Sequence, residues 1–284
     1  MGDVDATETT PTDTGGSENE DFMPFLEARG WKIVTIILLA YWAIRALGWI
    51  VSWMYYFCRY CKCFRQGMQA KDRMAKLYNQ SGGAWAVVSG GSDGIGLEMC
   101  HQLAAQGFNV CIVARNAKKI DEKLGEIKAK YPSIETKSII ADFTKLFTIE
   151  EYKTNIADHC QDMDVAIFAL NAGITRIGFY DGIPDMDVQD NVMCNALHPC
   201  YLAKAITPMM TGRMDKKKQK SAMIFVSSMA QDVPAPGNLT YSAAKIFCSY
   251  IAEGLSYEFE GKVDVINYMP AVVKTNIFKP EDME

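Results

Sequence analysis

After Ser81-Gly82-Gly83 the sequence switches repeatedly between short apolar runs and longer amphipathic stretches, and this alternation constrains the fold more tightly than any other feature. Apolar runs predict strands at 84–89, 109–114, 136–140, 165–170, 222–227 and 263–269. Helical spacing predicts helices at 95–106, 117–130, 149–159, 187–211 and 241–259. Strict alternation implies parallel strands joined by right-handed helical crossovers, with helices on both faces of the sheet. The expected fold class is α/β, a doubly wound parallel sheet of Rossmann type. Ligands of such sheets bind outside the carboxyl ends of the strands, so the residues that follow each strand are where chemistry is sought.

The first strand runs directly into Ser89-Gly90-Gly91-Ser92-Asp93-Gly94-Ile95-Gly96 and then into a helix. Glycine lets backbone approach a pyrophosphate closely, and the helix start offers unpaired N–H groups and a positive dipole end. A glycine turn in this position points to dinucleotide binding. At the end of the second strand, where a carboxylate would bond a ribose hydroxyl, stands Arg115, which suits the 2'-phosphate of NADP(H) over NAD(H). Asp142, after the third strand, either accepts from an adenine amino group or caps the following turn.

Later in the chain Ser228 ends the fifth strand, Tyr241 follows, and Lys245 stands one helical turn beyond it on the same face. A phenol of pKa about 10 is a poor acid or base at neutral pH. A neighbouring ammonium is expected to lower that value, as proton transfer to a carbonyl oxygen requires. Ser228 would hold the same oxygen while a nicotinamide delivers hydride to the carbon.

Ahead of this domain lie three segments: an acidic tail (1–30), an apolar segment (31–57) and a basic linker (58–81), with the oxidoreductase domain at 82–284. Residues 1–21 have almost nothing to bury and are expected to be disordered. The apolar segment is long enough for a bilayer core of about 30 Å, with Lys32 and Arg45 as its charges. A helix lying in the interface or packed on a partner is the competing reading. Acidic residues precede the segment and basic ones follow it, which places the domain on the cytosolic side, or in the matrix if the membrane is the mitochondrial inner membrane. The sequon Asn238-Leu239-Thr240, beside Tyr241, agrees with a non-lumenal domain.

The formal net charge of -5 argues against a nucleic-acid surface, and the run Lys216–Lys218 with Lys220 reads as a solvated loop. Nine scattered cysteines, several in apolar runs, suit a reducing compartment. No metal site is expected. Cys58, Cys61 and Cys63 cluster after the apolar segment, where acylation is an alternative to zinc binding.

Together these residues resemble the short-chain dehydrogenase/reductases. The glycine motif of that family corresponds to Ser89–Gly96, its Asn-Ala-Gly motif to Asn171-Ala172-Gly173, and its Ser and Tyr-x-x-x-Lys signature to Ser228, Tyr241 and Lys245. The resemblance implies a relay role for Asn195, which completes a catalytic tetrad, and nicotinamide contacts at Pro270 and Thr275. An N-terminal membrane segment ahead of the domain is similar to the 17-beta-hydroxysteroid dehydrogenase and very-long-chain 3-oxoacyl-CoA reductase group. That likeness implies NADPH-dependent reduction of a lipid-like ketone in the endoplasmic reticulum. The chain departs from the family pattern at Ala271, where glycine is usual, and ends at Glu284, where the family continues. That ending and Arg45 motivate a second reading, an accessory subunit of a larger membrane complex, respiratory complexes included. A homodimer is the simpler assembly.

Overall fold

The structure, a computed structural model, describes residues 22–68, 73–271 and 273. It divides into two compact units, residues 1–69 and 70–284. The acidic tail through Asp21, together with Lys274 and Thr275, lies outside the described residues.

In the first unit one helix, α1 (Phe22–Met68), contains a 29-residue apolar stretch, Gly30–Cys58, within which an 18-residue window has a mean hydropathy of 1.9. At 1.5 Å per residue that stretch is about 43 Å long, more than the ~30 Å of a bilayer core. Apolar side chains occupy consecutive positions such as Ile36, Ile37, Leu38 and Leu39, so they cover the helix all round rather than one stripe, and all are exposed. This composition fits a spanning segment better than an interfacial helix, which keeps one polar face. The helix continues past the apolar segment through Met68.

The second unit opens with a short helix, α2 (Arg73–Tyr78), followed by six strands: β1 (Trp85–Ser89), β2 (Asn109–Ala114), β3 (Thr136–Ile140), β4 (Val165–Leu170), β5 (Ser221–Val226) and β6 (Val263–Tyr268). All pair in parallel in the order β3-β2-β1-β4-β5-β6, the expected doubly wound sheet. Every residue of β2 and β4 is buried, as the continuous apolar runs of a sheet covered on both faces require.

Alternation along each strand sends neighbouring side chains to opposite faces, and each face has its own core. Val88, Ile112, Ile167 and Ala169 pack against Leu103, Ile120 and Ile127 of α3 (Gly94–Ala105) and α4 (Ala117–Lys130). Val87, Phe168, Leu170 and Phe225 pack against α5 (Ile149–Tyr152), and beyond α6 (Asp185–Val192) against α7 (His198–Lys217) and α8 (Leu239–Glu258). The order places β1 between β2 and β4. The chain leaves β1 in one direction and returns on its other side, so a crevice opens at the carboxyl end of β1.

Three differences from the sequence pattern have local causes. The helices expected at 149–159 and 187–211 are each interrupted by a π turn, at Lys153–Ala157 and Met193–Leu197. A π turn adds a residue to the helical repeat without leaving a mark on hydrophobic periodicity. The basic run at 216–218 is not all loop: α7 continues through Lys217, and Lys218 then turns left-handed at φ 57°. Lysines suit a helix C-terminus because they face the negative end of its dipole, and Lys217 also pairs with Asp164 at 2.8 Å.

At the opposite edge of the sheet the buried Arg213 gathers the ends of several elements. It pairs with Asp164 at 2.8 Å and donates to the carbonyls of Tyr78 at 2.6 Å and Lys220 at 2.5 Å. The Tyr78 hydroxyl donates to Asp264 at 2.7 Å. These bonds fasten α2 to the sheet well away from the crevice.

Candidate active site

Ser89 ends β1 fully buried, and its hydroxyl accepts from the backbone N–H of Asn171 at 2.9 Å and Ala172 at 3.1 Å. The Asn171 amide donates back to the carbonyls of Ser89 at 3.0 Å and Gly90 at 3.3 Å. The ends of β1 and β4 are therefore stitched together. Gly90 takes φ +67°, and its N–H reaches the Val113 carbonyl at 2.8 Å. A Cβ on Gly96 would overlap the Gly90 carbonyl and the Asn171 side chain, so only glycine lets α3 begin this close to the turn. Gly91 packs inward on Cys100 and Ile112.

Asp93 caps α3, accepting from Gly94 N–H at 2.7 Å, and its second oxygen pairs with Lys119 at 2.6 Å. The lysine offsets a carboxylate that would otherwise repel an anion at this helix start. Arg115 is exposed beyond β2, beside Asn116, which caps α4. Asp142 accepts from the Thr144 N–H at 3.1 Å and hydroxyl at 2.9 Å, the turn-capping role foreseen as one of its two options.

The catalytic candidates converge from the π turn at Met193–Leu197, the end of β5 and α8. Asn195, fully buried in the π turn, donates to the Ile174 carbonyl at 2.7 Å and accepts from Ile174 N–H at 3.2 Å. Its amide also donates to Asn191 Oδ1 at 2.8 Å. A Cβ on Gly173 would stand 2.8 Å from Asn195 Oδ1 and 3.5 Å from Lys245 Nζ. The glycine therefore allows both side chains to crowd the loop. Lys245, 3% exposed, donates to the Val226 carbonyl at 2.9 Å, and its Nζ lies 5.5 Å from the centre of the Tyr241 ring. Ser228, two residues past the end of β5, accepts from Ala230 N–H at 3.1 Å and is close enough to Tyr241 to influence its ionisation.

Burial raises the Tyr241 phenol above its ordinary 10.0, against the opposing hydrogen bond from Ser228. Burial likewise lowers Lys245 below 10.5. The expected lowering of the phenol by its ammonium neighbour is thus not what this arrangement gives: desolvation outweighs it, and both groups move toward their neutral forms. The buried Cys194 thiol beside them is pushed up to about 12 by burial, so it is no nucleophile at neutral pH.

One cavity of about 470 Å³ runs along the carboxyl edge of the sheet. Gly90, Ser92, Asp93, Gly94, Ile95, Arg115 and Asp142 line one end; Asn171, Ala172, Gly173, Tyr241, Lys245 and Pro270 line the other. Ser89, Gly91, Gly96 and Asn195 shape these walls from behind. The Pro270 carbonyl accepts from Met229 N–H at 3.1 Å. Lys119, Thr144, Thr175 and Arg176 also line the cavity and were not anticipated. For Thr175 and Arg176 the available signal was their place just after a strand, without a motif to mark them.

This geometry matches what comparison finds. The family model for short chain dehydrogenases matches residues 84–284. The chain belongs to that family. It is 32% identical over 202 residues to the very-long-chain 3-oxoacyl-CoA reductase of Anas platyrhynchos, covering 69% of this chain and 62% of that relative's length. Among solved structures, a 7beta-hydroxysteroid dehydrogenase is 25% identical with a TM-score of 0.61, over 72% of this chain and 75% of the other. A short-chain dehydrogenase from Sphingobium yanoikuyae, solved with NADPH, shares the fold at 21% identity and a TM-score of 0.60, over 68% of this chain and 73% of that one.

Proposed function

We propose that the chain is an NADPH-dependent reductase of a ketone on a lipid-like substrate, a 3-oxoacyl-CoA or a keto-steroid, with Tyr241 as the proton donor. The observation that carries this reading is the single cavity that joins a glycine turn to Tyr241 and Lys245. The relative's name, a 3-oxoacyl-CoA reductase, supports the substrate class, and nothing in the comparisons favours the accessory-subunit reading. The residues fit a dinucleotide. A helix start and glycine backbone face one end of the cavity, and Arg115, at that same end, would meet a 2'-phosphate. The bound nicotinamide would supply hydride.

The chain's own residues handle the proton. Burial keeps the Tyr241 phenol neutral, the form that can donate to a carbonyl oxygen. Ser228, beside that hydroxyl, would donate to the same oxygen. Once the proton leaves, Lys245 is the cation positioned to balance the phenolate. Asn195 holds Ile174, and with it Gly173, against Lys245. Thr275 keeps its assignment from the family resemblance alone.

The apolar helix would anchor this unit in the endoplasmic reticulum, with the basic flank and the catalytic unit in the cytosol. Asn238, the sequon residue, accepts on Oδ1 from the Thr175 hydroxyl at 3.1 Å, which holds its side chain against the catalytic loop. The test is NADPH consumption by the full chain in detergent, over a panel of 3-oxoacyl-CoA and keto-steroid substrates. Wild type should turn over at least one of them. Equal activity, or equal silence, in wild type and Tyr241→Phe removes the reading.

A further inference from the structure

We propose that Arg176 is a specificity-determining residue that binds an anionic group of the substrate, a phosphate or a carboxylate, beside the reacting carbonyl; this rests on the reductase reading above. Among the described residues four cations line the cavity: Arg115, Lys119, Arg176 and Lys245. Arg115 and Lys119 follow β2, at the nucleotide end. Lys245 is buried and committed to the Val226 carbonyl at 2.9 Å. Arg176 is thus the exposed cation at the Tyr241 end, its side chain 35% exposed.

Its backbone is fixed on both sides. Thr175, 1% exposed, donates to Asn238 at 3.1 Å, and Asn238 begins the helix that carries Tyr241. Gly178 N–H reaches the Gly237 carbonyl at 2.8 Å. Between these two ties Arg176 is held at the edge of the catalytic loops. Its guanidinium offers five N–H donors in a planar fork. Asp187 takes Nε at 3.0 Å, and the Thr175 carbonyl takes one Nη1 hydrogen at 2.9 Å. The outer edge, Nη2 with the second Nη1 hydrogen, has no protein acceptor among the described residues. An oriented guanidinium with an open outer edge suits the paired oxygens of a phosphate or carboxylate.

The experiment measures binding to the NADPH-loaded full chain in detergent, using three ligands that share one saturated acyl chain. These are the coenzyme A thioester, the free fatty acid and the neutral N-acetylcysteamine thioester. Arg176→Gln should weaken one anionic ligand by about tenfold, the scale of one charge-assisted hydrogen bond. The neutral thioester and NADPH should bind as before, and Arg176→Lys should recover part of the loss. A loss confined to the coenzyme A thioester assigns the phosphate; a loss confined to the fatty acid assigns the carboxylate. Equal weakening of all three ligands, weakening of NADPH, or no change overturns the proposal. Saturated ligands report binding without turnover, so a failure of the reductase reading in the activity assay stays separate from this result.

Discussion

The two ends of the cavity are built from different materials. At the nucleotide end the working surface is backbone: a glycine turn, a helix start and a strand end, clamped by Ser89, Asn171 and the close approach of Gly96 to Gly90. At the catalytic end it is side chains, Tyr241 and Lys245 on α8 beside two loops tied to each other by the Thr175–Asn238 and Gly178–Gly237 bonds. Those loops expose large apolar residues, with Phe179 at 75%, Val233 at 64% and Tyr180 at 61%. A surface made of backbone tolerates almost no change in the residues that shape it, whereas one made of side chains on loops can be retuned residue by residue.

The largest expected effect lies at the rigid end. Gly96→Val forces a side chain into the Gly90 carbonyl and the Asn171 amide, and NADPH affinity should fall more than about 100-fold in a fluorescence titration, the scale of a Cβ placed where backbone must sit. Unchanged affinity would mean that the turn does not hold the nucleotide.

A smaller effect belongs to the core beneath the catalytic end. His198 is fully buried, packs against Phe143 with ring centres 4.0 Å apart and planes tilted by 37°, and donates from Nδ1 to the Cys194 carbonyl at 3.1 Å. Burial lowers its pKa from 6.5 to about 3. The folded protein therefore binds fewer protons than the unfolded chain between those values. The stability this neutral ring contributes is present above pH 6.5 and is lost as pH falls toward about 3. By pH 5 the loss should reach up to about 2 kcal/mol. Denaturant melts across this range should show that slope in wild type, and a flatter one in His198→Phe whatever its absolute stability. The smallest effect is at the exposed rim of the nucleotide end: Arg115→Ser should weaken NADPH by about tenfold and leave NADH unchanged. Equal loss for both cofactors would remove the 2'-phosphate assignment.

Legibility in the sequence follows the same division. Strands β2 and β4 coincide with their apolar runs, because strands buried on both faces carry an uninterrupted signal; β3 also falls where expected, although it is an edge strand with a single buried residue. The glycine turn was legible because backbone geometry restricts residue type at each step. Arg176 and Thr175 were not, since a loop held by side-chain bonds to a distant segment leaves no local pattern. The π turn that carries Asn195 was hidden for a related reason: its extra residue is stabilised by the bonds from Asn195 to Ile174 and Asn191, not by periodicity. The ionisation of Tyr241 was also misjudged from sequence, because the spacing to Lys245 shows the charge partner but not the depth of burial that overrides it.

The central claim is that the glycine turn and Tyr241 serve one reaction in one cavity. Its most direct test is a single-turnover experiment on the full chain preloaded with NADPH and mixed with a 3-oxoacyl-CoA. Wild type should oxidise its bound NADPH rapidly, while Tyr241→Phe binds NADPH with the same affinity and oxidises it more slowly by about 100-fold or more, the scale of a lost general acid. Equal rates in the two proteins, or loss of NADPH binding in the variant, would contradict the account.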